Sequence, residues 1–203
     1  MANFFAYLPL LLQVEGLYQN NASDQGNYNS LGQLVGTNYG ISARFYEDVI
    51  GRPPSQQDML AINRDKAIDI YKTYFWDRHR ASEIQSQSVA NTVIDMEINS
   101  GNGVRMAQRL LNSDFGKNLS VDGVIGPKTL TAINSVNANL FVEKYNAKRK
   151  DWYLTRSNSD VFGAGWINRL THFVADNPTT FGIGTVLTVG GVVYLLTRKL
   201  WHE

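Results

Sequence analysis

The sequence predicts a mainly α-helical protein with a small loop-rich or β-hairpin lobe near the N-terminus and an apolar helix near the C-terminus. Apolar residues recur at steps of three and four along several segments, a period typical of amphipathic helices. Residues 19–40 differ, because Asn, Gly, Ser, Gln and Tyr dominate them and favour turns and short hairpins. Residues 179–197 carry no charged side chain, which favours an apolar terminal helix.

The first predicted element is a helix that contains the apolar residues 4–12. A secretory signal peptide is defined by a basic segment, an apolar stretch and a small-residue cleavage site, and this region has only the apolar stretch. We therefore expect a buried first helix that leads directly into Glu15.

Further helices are predicted beyond the lobe from the spacing of apolar residues. Gly101 and Gly103 mark the end of one of them, and Pro127 stands at the first helical position of another. The helix near residue 145 has one aromatic face, which we expect in the core. In chain order the predicted helices lie at about residues 58–76, 89–98, 104–112, 127–136, 139–154 and 166–173.

The composition restricts the chemistry. The sequence contains no cysteine, which excludes disulfides, thiol nucleophiles and cysteine-bound zinc. His79, His172 and His202 lack the spacing of a zinc motif, so we expect neither a metal nor another cofactor. The net charge is +1, and the excess of basic residues in the C-terminal half is too mild to suggest a nucleic-acid partner. We expect the basic run at residues 148–150 on a solvated helix face.

Chemistry must therefore come from carboxylates, hydroxyls and amides. Hydrolysis of a glycosidic bond needs a protonated carboxyl beside the leaving oxygen and commonly a second carboxylate. Glu15 follows an apolar run, and partial burial would raise its pKa as a general acid requires. Asp24 lies in a polar loop and is expected to stay ionised. By itself this pair is also compatible with two solvated surface charges.

Several segments resemble, in the same order, motifs of the glycoside hydrolase family 108 muramidases and of their associated peptidoglycan domain. These enzymes are lysozyme-like and frequent in phages and bacterial secretion systems. The resemblance covers residues 8–175. The matching segments are VEGLY at 14–18, DQGN at 24–27, TNYGI at 37–41, DMEINSG at 95–101, DGVIGPKTLTAI at 122–133 and GWINR at 165–169.

The resemblance implies a lysozyme-like helical fold and cleavage of the β-1,4 bond between N-acetylmuramic acid and N-acetylglucosamine in peptidoglycan. Glu15 would be the general acid, and Asp24 with Thr37 would position the attacking water. Substrate-binding residues would be Asn38, Tyr39, Asp95 and Asn99. For Asp95 and Asn99 a structural hydrogen-bond role is the alternative.

The resemblance also implies a division into a muramidase domain at residues 1–100 and a helical peptidoglycan-associated subdomain at residues 101–176. The sequence departs from the family pattern at Leu17, where the motif has glycine, and in DQGN, where it has DPGG. About eight extra residues near 28–35 also separate Asp24 from Thr37. If the backbone at position 17 needs a positive φ, leucine would be strained there.

Residues 177–203 are predicted to be a transmembrane helix with a short basic tail. The uncharged stretch 179–197 is long enough, as a helix, to cross a bilayer, and Arg198 and Lys199 follow it. By the positive-inside tendency the tail faces the cytoplasm, so the enzyme would sit in the bacterial inner membrane with its catalytic domain facing the periplasm. The alternative is a terminal helix that docks in a phage or secretion-system assembly.

These observations predict a membrane-anchored muramidase that acts in phage lysis or in a bacterial secretion system. One alternative is a catalytically impaired peptidoglycan-binding component of a phage tail or contractile injection machine. Another is a membrane-perturbing lysis protein that uses the muramidase domain only for targeting.

Overall fold

The computed structural model describes residues 1–14, 17–155, 170, 173, 187–189 and 192–194. Within these residues the chain forms eight α-helices and one antiparallel pair of short strands, so it is mainly helical as predicted. The helices are α1 (Phe4–Val14), α2 (Ala43–Ile50), α3 (Gln56–Leu60), α4 (Arg64–Tyr71), α5 (Gln87–Ser100), α6 (Gly103–Phe115), α7 (Pro127–Asn134) and α8 (Ala138–Leu154).

Helix α5 lies at the centre of the core. Residues 88–96 are all buried, and a helix that is covered on every side belongs to the interior of a domain. Helices α1, α6 and α8 pack against it, together with a π-helical segment at Lys72–Asp77. Because Asn91, Thr92 and Asp95 are polar and lie inside this buried stretch, each requires hydrogen-bond partners from neighbouring elements.

Helix α1 is buried along one face, which confirms the expected buried first helix. Phe4, Tyr7 and Leu11 are the buried residues of this face. The Tyr7 ring stacks on the ring of Trp76 with centroids 5.6 Å apart, and Phe4 meets Trp76 edge-on at 5.7 Å. The aromatic packing fixes the orientation of α1 against the core.

Helix α6 starts in very close contact with α5. A Cβ atom on Gly103 would lie 2.3 Å from the Val93 carbonyl oxygen and 2.5 Å from the Glu97 nitrogen. The Gly103 carbonyl also accepts a hydrogen bond from the buried Tyr145 hydroxyl of α8 at 2.8 Å. The absence of a side chain at this position therefore allows three central helices to meet.

The structure differs from the prediction between residues 42 and 77. Helix α2 was not predicted; Ser42 caps its start, and Gly51 ends it in the left-handed conformation. The helix predicted at 58–76 is interrupted after Leu60, because Asn63 caps a new start by accepting from the Lys66 amide. Helix α4 then continues into the π-helix at Lys72–Asp77.

The C-terminal segment also differs where the structure describes it. Strands β1 (Leu187–Val189) and β2 (Val192–Tyr194) pair antiparallel, with Leu187 opposite Tyr194, where the sequence predicts a helix. Threonine and valine favour strands, and two glycines lie between these strands in the sequence, which is a typical hairpin signal. The rest of 179–197 lies outside the described residues. None of the described helices is both long and apolar enough to span a membrane.

Candidate active site

The candidate site lies where α1 leads into the N-terminal lobe. Helix α1 ends at Val14, and Leu17 follows with its side chain 73% exposed. The predicted acid, Glu15, lies outside the described residues, so its role stays a prediction. The possible strain at Leu17, which replaces a motif glycine, stays a prediction because the residue before it lies outside the described residues.

The lobe is held together by isolated bridges and a short 3-10 turn at Gln25–Asn27. The bridge nearest to α1 joins Gln19 to Thr37: each backbone amide donates to the other residue's carbonyl, at 2.9 and 2.8 Å. Gly36 allows this approach, because a Cβ there would lie 2.6 Å from the Tyr18 ring and 2.7 Å from the Gln19 carbonyl. Thr37 is therefore held against Gln19, which lies four residues after Glu15 in the sequence.

Asp24 is held in a defined orientation at the start of the 3-10 turn. Its Oδ1 atom accepts a hydrogen bond from the Gly26 amide at 2.9 Å. Its Oδ2 atom accepts a hydrogen bond from the Gln19 side-chain amide at 3.1 Å. The residue is half-buried, and a carboxylate has acceptor capacity for more than these two bonds. Asp24 can therefore still accept a hydrogen bond from water or a sugar.

A buried asparagine next to Asp24 completes the lobe. The side-chain amides of Asn27 and Gln19 bond reciprocally, at 2.8 and 3.0 Å. The Asn27 carbonyl accepts the amides of Val35 and Gly36, which closes the loop that contains the extra residues. Sequence reasoning missed both Gln19 and Asn27, since a single amide side chain in a polar loop carries no pattern that separates an anchor from a solvated residue.

Asn38 and Tyr39, which were predicted to bind substrate, connect the lobe to the helices. Asn38 is buried, and its side-chain amide donates to the carbonyls of Met59 and Ile62 at 2.9 and 3.0 Å. Tyr39 has a positive φ of 48°, and its carbonyl accepts a hydrogen bond from the Tyr71 hydroxyl at 2.8 Å. The Asn38 side chain is thus a structural anchor in this structure, and the substrate-binding roles of Asn38 and Tyr39 stay predictions.

Asp95 requires a correction, because the structure does not bring it to a surface, whereas Asn99 is exposed and its substrate-binding role stays a prediction. Asp95 is fully buried in α5 and forms an ion pair with the equally buried Arg149 of α8. The side chain of Asn99 donates back to the Asp95 carbonyl at 2.8 Å. The expectation that Arg149 lies on a solvated face is wrong for the same reason. The structural alternative therefore holds for Asp95.

The described part of the site therefore connects two of the three predicted catalytic residues to one anchor. Asp24 and Thr37 are both joined to Gln19, one through its side chain and the other through its main chain. Gln19 lies four residues after Glu15 in the sequence. Glycoside hydrolysis commonly uses two carboxyl groups, one on each side of the scissile bond, and Glu15 and Asp24 are the two carboxyl groups predicted for this site.

Comparison with known proteins gives two family matches and a related solved structure. Residues 8–101 match the family Glycosyl hydrolase 108, and residues 102–171 match the family Predicted Peptidoglycan domain. The solved structure of Brucella abortus SagA is 27% identical and superimposes with a TM-score of 0.72, over 84% of this chain and 90% of SagA. Comparison with curated proteins gave no match.

The fold and the comparisons define a glycoside hydrolase of the lysozyme-like, muramidase class. The N-terminal segment, residues 8–101, matches the Glycosyl hydrolase 108 family, and the segment that follows it, residues 102–171, matches the peptidoglycan domain. In this structure the two matched segments are not separate bodies, because residues of both contribute to one hydrophobic core.

Proposed function

We propose that this hydrolase cleaves the β-1,4 bond between N-acetylmuramic acid and N-acetylglucosamine in peptidoglycan, in phage lysis or a bacterial secretion system. Glu15 acts as the general acid, and Asp24 with Thr37 positions the water. The observation that carries the proposal is the fixed Asp24 carboxylate, which shares its Gln19 anchor with Thr37. The match to a hydrolase family and a peptidoglycan domain supports the substrate class.

The proposed chemistry assigns one task to each group. Glu15 donates its proton to the glycosidic oxygen as the bond to the leaving sugar breaks. The negative charge of Asp24 stabilises the positive charge that develops on the sugar ring. Its remaining lone pairs accept a hydrogen bond from the water, whose oxygen forms the new bond to the sugar carbon. The Thr37 hydroxyl contributes one further hydrogen bond to that water.

The direct test is digestion of purified cell walls. We expect the turbidity of a peptidoglycan suspension to fall, and borohydride reduction of the products should convert muramic acid, not glucosamine, to its alcohol. New reducing glucosamine ends would contradict the proposed bond. A folded protein that sediments with peptidoglycan but releases no ends would instead support the binding-only alternative.

Asp24→Asn and Thr37→Ala should lower turnover to different extents. Loss of a charge that stabilises the transition state should cost about 10²- to 10³-fold in kcat. Loss of one hydrogen bond to the water should cost about 10-fold. Initial rates on soluble glycan oligomers measure both effects, with Asp48→Asn on the exposed side of α2 as the control. The reverse ranking would show that Asp24 does not act on the reacting sugar.

We also propose that residues 179–197 attach the enzyme to the bacterial inner membrane, with the catalytic domain on the periplasmic side. The support is the absence of charge in this segment and the cations Arg198 and Lys199 that follow it. The proposal requires these residues to be helical in lipid, unlike the strand pair β1–β2 in the present structure.

Membrane attachment is tested by extraction and by spectroscopy. The full chain should resist carbonate extraction, whereas deletion of residues 179–203 should release a soluble and active enzyme. A peptide with the sequence of residues 179–197 should gain helical circular dichroism when lipid vesicles are added. If the full chain needs no detergent and the peptide stays non-helical in lipid, the segment is not a membrane anchor, and docking in an assembly becomes the better explanation.

A further inference from the structure

We infer that Gln19 is a positioning residue for hydrolysis: its side chain orients the Asp24 carboxylate, and Asn27 locks that side chain in place. The inference rests on the proposed function, because it gives Asp24 a role in the reaction. It adds two residues to which neither the family motifs nor the chemistry of glycoside hydrolysis assigns a role.

The orientation of the Gln19 amide is fixed by a backbone donor. The backbone N–H of Asn21 lies 2.9 Å from Gln19 Oε1, and a backbone N–H can only donate. The atom at this position must therefore be the amide oxygen, so the other end of the amide is the nitrogen that faces Asp24. Gln19 Nε2 accordingly donates to Asp24 Oδ2, and the interaction is attractive only while this carboxylate can accept.

The Gln19 amide has no capacity left for a substrate. Its nitrogen donates to Asp24 and to Asn27, and its oxygen accepts from Asn21 and from Asn27. An amide group has two N–H donors and two acceptor positions, so all four are in use. Contact with a sugar would require breaking one of these bonds. Gln19 therefore acts on the reaction through Asp24 rather than by touching the glycan.

Asn27 makes this arrangement rigid. Its side-chain nitrogen donates to Gln19 Oε1 and to the Asn21 carbonyl, and its side-chain oxygen accepts from Gln19 Nε2. Asn27 is fully buried, so loss of its Gln19 partner would leave its side-chain polar atoms without a hydrogen-bond partner and out of reach of water. The paired amides consequently hold one another in a single orientation.

Asn27 also explains how the site accommodates its altered sequence. It stands at the fourth position of DQGN, where the related motif has glycine, immediately before the extra residues near 28–35. Its carbonyl accepts two amides from the far end of that loop, those of Val35 and Gly36. The side chain that replaces glycine thus connects the base of the loop to Gln19, and through Gln19 to both Asp24 and Thr37.

The inference is tested with Gln19→Met and Gln19→Glu, with Gln57→Met on exposed α3 as the matched control. Gln19→Met removes the donor at nearly constant volume and should lower kcat by about 10- to 100-fold with KM nearly unchanged, since misplacement of a reacting group acts mainly on the chemical step. Asn27→Leu should lower kcat in the same way. Gln57→Met should match the wild type.

Gln19→Glu should change the pH dependence of kcat, which would not be expected if Gln19 had only a structural role. It places a second carboxyl about 3 Å from Asp24, and two adjacent carboxyls hold a shared proton to higher pH. In a plot of kcat against pH, the acidic limb should therefore shift to higher pH by about one unit or more, whereas the alkaline limb should stay in place. An unchanged profile shape would overturn the inference.

A readout that needs no turnover separates this inference from the proposed function. The Gly26 amide proton donates to Asp24 Oδ1, so its NMR shift reports the orientation of the carboxylate. In Gln19→Met this signal should move, and in Gln57→Met it should not. If the wild type is inactive while the signal moves, the proposed function fails and the orienting contact stands. If Gln19→Met keeps both its activity and the Gly26 signal of the wild type, the inference is wrong.

Discussion

Glu15→Gln is expected to reduce the rate of peptidoglycan cleavage by about two to four orders of magnitude, the typical contribution of a positioned general acid. The substitution removes the proton donor and changes the side-chain volume very little. Binding to the glycan should therefore persist while turnover is lost, which would appear as a fall in kcat with little change in KM. Release of reducing ends from purified cell walls measures the rate, and co-sedimentation measures binding.

A folded but inactive protein is the informative result, so stability must be measured in parallel. Thermal unfolding of Glu15→Gln should be close to that of the wild type. Glu83→Gln serves as a control at a half-buried carboxylate distant in sequence, although it removes the bond to Arg80. Near-normal turnover by folded Glu15→Gln would rule out Glu15 as the acid, and Asp24 would then be the next carboxyl to test.

The sequence predicts the central helices because their apolar period is regular and their ends are marked by small residues. Helix α5 was predicted within two residues at each end, since Gly101 provides the left-handed C-cap. Helix α2 was missed although Ser42 caps it and Gly51 ends it, because the turn-rich lobe before it obscured an eight-residue element. The break at Asn63 depends on one capping side chain, which a periodicity argument does not detect.

The site is predicted less completely, because its anchors depend on contacts between distant residues. Asp24 and Thr37 were identified by the motifs, and the structure joins them through Gln19. The pairing of Gln19 with Asn27 could not be inferred, since it requires the fold of the loop between Asn27 and Thr37. Asp95 was misassigned because its partner Arg149 lies far along the chain within a basic run that otherwise suggests solvent.

The Asp95–Arg149 pair gives the second large expected effect. Arg149→Met should lower the free energy of unfolding by about 3–5 kcal/mol, because it leaves a carboxylate buried without its counter-ion. The Arg149 guanidinium also donates to Thr92 Oγ1 at 2.9 Å and to the Tyr153 hydroxyl at 3.3 Å, so those bonds are lost as well. Denaturant unfolding followed by circular dichroism measures the change.

Two further variants separate the ion pair from ordinary packing. Asp95→Leu combined with Arg149→Met removes both charges, so the double variant should be more stable than the sum of the single effects implies. Lys144 lies on α8, as Arg149 does, and forms an exposed ion pair with Asp114. Lys144→Met removes that ion pair and should change stability little. Equal losses for Lys144→Met and Arg149→Met would show that burial of the charge is not the cause.

The position of this pair also predicts how the chain unfolds. Asp95 belongs to the hydrolase segment at residues 8–101, and Arg149 belongs to the peptidoglycan segment at residues 102–171. Since α5 packs on both α6 and α8, the two segments should unfold in one cooperative transition. Arg149→Met should shift that transition for tryptophan fluorescence and circular dichroism together, because Trp76 lies in the first segment and Trp152 in the second. Two separate transitions in the wild type would mean that the shared core does not couple the segments.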